Sequence, residues 1–469
     1  MSTFSGLGTA ASALSAARRG MDLVGQNIAN QTTAGYTRQR LETSAVGAVA
    51  VSGRFSAGVQ PGGGVSVDGI ARLGDAVLDA RVRDTLAASG YWSTRAAASA
   101  AAEATLGEPT SDGIAHQLSE FWAAWQDVAN APDSTAAAAT VITHAQTLAA
   151  RIADGYRAVA GQWADARASA DMTVSRINAA ATEIAELNGA IRDATAAGGA
   201  PNELIDRRNL LAQNVARLSG ATATVETDGT LTLRIDGNAL VSGANARALA
   251  LSGPPSLESA DPLALAWVSD GDLPVSTVGG ELGGLLAVLA PAGEDGVLAG
   301  LAADYNALAT ALADAVNAQH AAGVTATGAP GGDFFSLAAG APAALGLGVV
   351  PTGRAELALA APGAGPLDGS NADALSAIGG RAGGPDALWG DVVARLAVGT
   401  AADAGRASRA ETGVNAAVIA QQSVAGVDND EETVSLLTFQ TAYQAAARVL
   451  TAVDEALDVL INRTGLVGR

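Results

Sequence analysis

The sequence predicts a mainly α fold with a small antiparallel β unit: paired N- and C-terminal coiled-coil helices, an elongated helical-bundle domain and a short outer excursion. Three observations carry this. Apolar residues recur in sevens at both termini, a period near 3.6 runs through most of the chain between them, and the period drops to two after Ala221, around two Asp-Gly pairs.

The N-terminal helix has Leu7, Leu14, Met21 and Ile28 at seven-residue intervals, with Ala10, Ala17 and Val24 in the alternate row. In the C-terminal helix, Leu436, Tyr443, Leu450 and Leu457 share one heptad position, and Phe439, Ala446, Val453 and Leu460 follow three residues on. Asp430, Glu431 and Glu432 fall in its first turn, where carboxylates oppose the positive end of the helix dipole. Each helix covers roughly 28 residues and is about 40 Å long, so the two match in length and period and suit side-by-side packing. Apolar surface runs beyond the C-terminal row at Leu437, Ala442, Val449, Ala456, Val459 and Ile461. Such surfaces require further partners or the chain's own core, and periodicity alone leaves both readings open.

After the first helix, residues 25–39 turn the chain: Asn30 can close the helix and Gly35 can take a positive φ. Residues 43–70, rich in Gly, Ser and Val with Pro61-Gly62-Gly63-Gly64 as a breaker, are expected as loop with short strands. Residues 73–218 are expected to be helical, broken at Gly107-Glu108-Pro109, Asn130-Ala131-Pro132-Asp133 and Gly198-Gly199-Ala200-Pro201. Ile177, Ile184 and Ile191 form one row there with Ala180 and Leu187 in the other, and Trp122 and Trp125 read as core anchors. Asp228-Gly229 and Asp236-Gly237, between alternating runs, signal hairpins within a β unit over roughly 221–283. Helix returns at 298–316 and over about 386–424, while residues 322–385, rich in Gly, Ala and Pro, are expected as a thin excursion or long loops. The expected domains are therefore 1–42 plus 426–469 (terminal coiled coil, inner core), 43–220 plus 286–321 plus 386–425 (helical rod), 221–285 (β unit) and 322–385 (outer excursion).

Composition removes several functions. The 469 residues include no cysteine, and all 27 basic residues are arginine, so thiolate metal sites, thiol nucleophiles and lysine chemistry are absent. A net charge of -20 and a pI near 4.4 disfavour nucleic acid and anionic membranes. No apolar run approaches the roughly 20 residues that span a bilayer, and Arg18 and Arg19 interrupt any secretory signal, which taken alone suggests the cytoplasm. His116, His144 and His320 lack metal-ligand spacing. A calcium loop starting at Asp428 fails because Thr433 and Phe439 replace the required Gly and Glu. No catalytic, cofactor-binding or metal-binding residue is assigned, and the chain is read as no enzyme.

The segment Asn27-Ile28-Ala29-Asn30, continuing through Thr33-Ala34-Gly35-Tyr36-Thr37-Arg38-Gln39, resembles the N-terminal signature of the bacterial flagellar axial proteins, with Asn27, Asn30, Gly35, Tyr36, Arg38 and Gln39 as its signature residues. Within that superfamily, the chain resembles the hook-associated protein 1 family of hook–filament junction proteins. The narrower resemblance rests on the stretches 202–211, 279–285, 317–320 with 333–335, and 426–450, in the family's order. Two departures are Asn429, where the family carries an apolar residue, and the short 336–385 region, where larger relatives carry outer domains.

The resemblance implies a structural protein exported by the flagellar type III system without a cleaved signal, which overrides the cytoplasmic reading. It implies self-assembly into a helical ring, with hook protein, a second junction protein, filament protein and an export chaperone as partners, and neither nucleic acid nor membrane insertion. Subunit contacts would fall to the terminal helices, through Leu7, Leu14, Met21, Val24, Ile28, Leu436, Phe439, Tyr443, Leu450, Val453, Leu457 and Leu460. Such helices would stay loosely ordered until assembly, because an Ala- and Gly-rich seam buries too little to offset ordering entropy. A hook or distal-rod protein, and a secreted wall hydrolase or adhesin on a flagellar-type terminus, stand as alternatives.

Overall fold

The computed structural model describes residues 3–47, 62–258, 261–268, 273–275 and 278–463, and the statements below concern these. The chain opens with α1 (Thr3–Ala29), then a β-ribbon of β1 (Gln39–Val46) and β2 (Gly64–Arg72), antiparallel with a bulge at Glu42/Thr43. The strands are longer than the short ones expected over 43–70. Pro61 lies outside the described residues.

Four helices follow: α2 (Ala76–Leu106), α3 (Ile114–Asn130), α4 (Thr135–Ala196) and α5 (Asn202–Ser219). The breaks fall where the sequence places breakers. Gly107 takes φ 66° at the end of α2, and the Ser134 side chain caps α4 by accepting from the Ala137 amide. The 62-residue α4 is the spine of the body, and Ile177, Ala180, Ile184, Leu187 and Ile191 are all buried along it.

The β unit is two small antiparallel sheets. The first orders β3 (Thr222–Val225), β4 (Leu231–Ile235), β5 (Asn238–Ser242) and β6 (Asn245–Ala246). The second orders β7 (Leu249–Ser252), β8 (Ala264–Trp267) and β9 (Leu273–Pro274). Asp236 and Gly237, at φ 51° and 74°, make the two-residue turn that Asp-Gly favours between β4 and β5. Strand structure ends earlier than the 283 expected, because Gly280–Leu289 is a helix, α6. Asn188 of α4, fully buried, ties this unit to the spine: its amide donates to the Leu231 and Gly243 carbonyls, and its oxygen accepts from the Leu231 amide.

Next come α7 (Val297–Ala321), β10 (Phe335–Leu337), α8 (Ala343–Gly346), β11 (Leu347–Val349) and α9 (Ser370–Ser376). Residues 322–385, expected as an outer excursion, instead pack onto the end of the body. Phe334, Phe335, Leu357, Leu359, Leu375 and Ile378 are buried in the core that holds Phe121, Trp122 and Trp125 of α3. His320 fastens the segment, bonding the Gly332 carbonyl through Nδ1 at 2.7 Å and accepting the Ala358 amide at Nε2 at 2.9 Å.

The chain returns through α10 (Pro385–Ala425) and ends in α11 (Asn429–Asp458), followed by a π-helical turn over Val459–Arg463. α10 runs antiparallel to α2, with polar rungs between Gln421 and Asp79, Glu411 and Ser89, and Asp403 and Arg95.

Candidate assembly site: the terminal helical pair and its polar joint

α1 and α11 pack antiparallel. Gly6 faces Val453, Gly20 faces Phe439 and Asn27 bonds Glu432, and each pair of numbers sums to 459, so the register holds along the whole pair. Gly20 is required for the approach, since a Cβ there would sit 2.5 Å from the Phe439 ring. The α1 seam therefore runs through Gly6, Ala10, Ala17, Gly20, Val24 and Asn27, of which all but Gly6 are buried. Ala16 and Leu23 are buried on the adjoining face, where Thr9 and Ser12 meet the start of β2.

Of the residues assigned to subunit contact, the structure puts Val24 in the seam. Leu7, Leu14 and Met21 lie one position off it and half-buried, and Ile28 is 37% exposed. On α11 the two heptad rows face α1: Ala446 is buried, while Leu436, Phe439, Tyr443, Leu450, Val453 and Leu457 are only half-buried. The Leu460 side chain lies outside the described part of the structure. On the other flanks Val434, Leu437, Val449, Val459 and Ile461 are 48–73% exposed.

One end of the pair is locked by a polar joint in which all six signature residues take part. Asn27, 1% exposed, donates to Glu432 at 3.1 Å and to the Gln39 carbonyl at 2.9 Å. Its oxygen accepts from the Tyr36 hydroxyl at 2.9 Å and the Gln39 amide at 3.1 Å, so all its hydrogen-bonding capacity is used. Arg38 bridges Glu432 at 2.7 Å and Glu431, and its amide donates to the Ala425 carbonyl at the end of α10. Burial, with the charges of Asp206, Glu203 and Glu432, pushes the Tyr36 phenol up to about 12, fixing it as a donor. Gly35 takes φ 79° against Leu210, and Asn30 closes α1 by bonding the Gln26 carbonyl and Thr33.

The joint also grips the body. Asn202 and Asp206, one helical turn apart at the start of α5, share a face. Asn202 donates to the Gln39 side chain at 3.0 Å and the Ile70 carbonyl, and Asp206 accepts the Thr37 amide at 3.0 Å and pairs with Arg72. Arg72 also donates to the Thr37 hydroxyl at 2.8 Å. Sequence reasoning missed Glu432, Asp206 and Arg72 as partners. Their signal is the need of a signature rich in amides and hydroxyls for buried partners, and the i, i+4 spacing of Asn202 and Asp206 within a stretch already singled out.

At the start of α11, Asp428 is the N-cap, accepting the Asp430 and Glu431 amides, while Asn429 is exposed and leaves the turn intact. Among the described residues no group of His, Cys, Asp and Glu could hold a metal ion, and no helix is long and apolar enough to cross a membrane.

Comparison with known proteins places this architecture. Residues 99–335 match the family model described as the flagellar hook-associated protein FlgK helical domain, and residues 421–463 match the flagellar basal body rod FlgEFG protein C-terminal model. The chain is 30% identical to flagellar hook-associated protein 1 of Bacillus subtilis (strain 168) over 511 aligned positions, covering 100% of both chains. It is 31% identical to flagellar hook-associated protein 1 of Salmonella typhimurium over 338 positions, which is 70% of this chain and 58% of that one. A solved structure, the flagellar hook junction protein FlgK from Burkholderia pseudomallei, aligns at TM-score 0.46 and 28% identity over 55% of this chain and 46% of that one. The chain belongs to the flagellar hook-associated protein 1 family.

Proposed function

We propose that this chain is a structural subunit of the bacterial flagellum that forms the junction between hook and filament and acts by assembly, not catalysis. The observation that carries the reading is the match over the full length of both chains to a hook-associated protein 1. The terminal pair supports it, because that pair keeps half-buried seams and exposed apolar flanks that a self-contained domain would cover. In this reading the subunit is exported by the flagellar type III system with the help of a chaperone. It then joins copies of itself, hook protein, a second junction protein and filament protein.

The division of labour follows. Residues 1–42 with 426–469 form the inner coiled-coil layer, the helical rod (43–220, 286–321 and 386–425) a second layer, and the 221–285 β unit an outward face. Residues 322–385 complete the rod's far end. Subunit contacts fall to the two heptad helices, from Leu7 to Ile28 and from Leu436 to Leu460, except Val24, which the seam between α1 and α11 buries, and the polar joint fixes the angle between pair and rod.

The test is Leu450→Asp, introduced into cells lacking their own copy of the chain. The variant is expected to be made and exported but to leave hooks without filaments by electron microscopy; normal filaments would contradict the reading. A muramidase assay on the purified chain is expected to show no turnover, and turnover would revive the hydrolase alternative.

A further inference from the structure

The chain contains a single Asn-Gly step, Asn188-Gly189, and it lies in the interior of α4. In an open chain this is the dipeptide that loses its side-chain amide most readily, because a glycine without Cβ lets its own nitrogen swing onto the preceding side-chain carbonyl. Space does not call for glycine at this point. A Cβ at residue 189 would lie 3.8 Å from the Ala244 Cβ, an ordinary contact, whereas at Gly155 of the same helix it would sit 2.5 Å from the Tyr305 ring. Glycine in a helix interior is also less stable than alanine. Asn188, by contrast, is fixed on every side. It is 0% exposed, its Nδ2 donates to the Leu231 and Gly243 carbonyls at 2.8 Å each, and its Oδ1 accepts from the Leu231 amide at 2.9 Å and from Arg208 Nη1 at 3.2 Å. Its whole hydrogen-bonding capacity is used.

We propose that Asn188-Gly189 is a deamidation site governed by folding: silent in the folded chain, reactive whenever the chain is unfolded, and able to bar a converted chain from folding again. In the reaction the Gly189 nitrogen attacks Asn188 Cγ. The new C–N bond replaces the Cγ–Nδ2 bond, ammonia leaves with the proton of the Gly189 amide, and a succinimide remains. Water then opens the ring at either carbonyl, giving aspartate, or isoaspartate with the main chain rerouted through the former side chain. Within α4 the attack is blocked twice. Helical ψ turns the Gly189 nitrogen away from Cγ, and the amide that must leave is clamped to two carbonyls of the β unit.

The fold accepts the two products differently. Aspartate at position 188 leaves the Leu231 and Gly243 carbonyls without their donor, but its charge meets the Arg208 guanidinium, which is 2% exposed and has no carboxylate within ion-pair distance among the described residues. Isoaspartate adds a main-chain carbon to the spine, which breaks the register of its hydrogen bonds where the β unit docks. The isoaspartate chain is thus the one shut out. This site goes beyond the assembly reading and does not depend on it.

The purified full chain, incubated at neutral pH both folded and in denaturant, tests the proposal, with position 188 read by peptide mass spectrometry that resolves both products from asparagine. Conversion in the folded chain is expected to be more than about a hundredfold slower than in denaturant, because attack must wait for the spine to open. After dilution from denaturant, the chain that regains protease resistance is expected to hold asparagine and aspartate at position 188 and to be about tenfold depleted in isoaspartate. Gly189→Ala, for which the structure has room, is expected to slow conversion in denaturant about tenfold and to lengthen by the same factor the time over which the chain can still refold. Equal rates in the folded and denatured chain, undiminished isoaspartate in the refolded chain, or a loss of refolding that Gly189→Ala leaves unchanged each overturns the proposal. The first two readings use the native sequence alone, so they decide even if the variant does not fold.

Discussion

The spine helix α4 and the terminal helix α11 share a heptad-like pattern but differ in what covers it. Along α4 the apolar row is fully enclosed by α3, α7, the β unit and the 322–378 segment, and Val141, Ile152, Ile177 and Ile184 are completely buried. Along α11 only Ala446 and the acidic Glu432 are buried, although the seam holds Leu436, Phe439, Tyr443 and Leu450. A helix covered on one side only leaves part of its apolar surface in water, so the spine is enclosed by its own chain while the terminal pair is held by a half-covered seam and its polar joint. Periodicity tells which residues can face a partner; it does not tell whether that partner belongs to the same chain.

The largest effect separating the two regions should come from the spine's core. Trp125, fully buried among Phe121, Phe334 and His320, should cost about 3–5 kcal/mol as Trp125→Ala, the range for losing a buried aromatic ring. Denaturant unfolding of the body reads this, and a smaller loss would show that the core collapses around the gap.

Next is the joint. Asn27→Ala removes the partner of the Tyr36 hydroxyl and of the Gln39 amide and carbonyl and leaves Glu432 to Arg38 alone, at about 1–3 kcal/mol for a buried group left without its partner. Because the joint serves the terminal pair, α11 should become protease-sensitive while the body's unfolding midpoint is unchanged. A shifted body midpoint would mean that joint and spine form one cooperative unit.

The smallest effect is pH-dependent and confined to the body. Burial pushes the His320 imidazole below its ordinary range, against the opposing influence of the Gly332 carbonyl and Asp333. Below about pH 6.5 the unfolded chain takes up a proton that the folded chain resists. Stability at His320 is therefore full above that pH and falls as pH drops through it, by at most about 1.4 kcal/mol per unit. Stability curves from pH 8 to 5 should lose this slope in His320→Gln; an unchanged slope would place the titration elsewhere.

Much of the body was legible because its punctuation is chemical: Gly107, Pro132 and the Gly198-Gly199 pair each end or follow a helix where the backbone demands it. The phase of the N-terminal seam was harder to read. Large side chains mark Leu7, Leu14 and Met21, yet the seam takes Gly20 and Asn27, because Phe439 needs room and Glu432 needs a donor. The β1–β2 ribbon is exposed along most of β1, so it carries no strong core period. The packing of residues 322–385 was hidden for a related reason. Phe334, Leu357, Leu375 and Ile378 reach the core from loops, turns and a short helix, where no repeat marks a face. In the joint, Asn27, Tyr36 and Gln39 were visible as a signature, but their partners stand more than 160 residues away in α5 and about 400 away in α11, and only the folded chain brings them together.

Hydrogen–deuterium exchange on the purified full chain, free and then mixed with isolated hooks, tests most directly whether the terminal pair is completed by neighbours. Amides of α1 and α11 should exchange fast in the free chain and become protected with hooks, while those of α4 stay protected throughout. Protection of α11 equal to that of α4 in the free chain, unchanged on adding hooks, would contradict it.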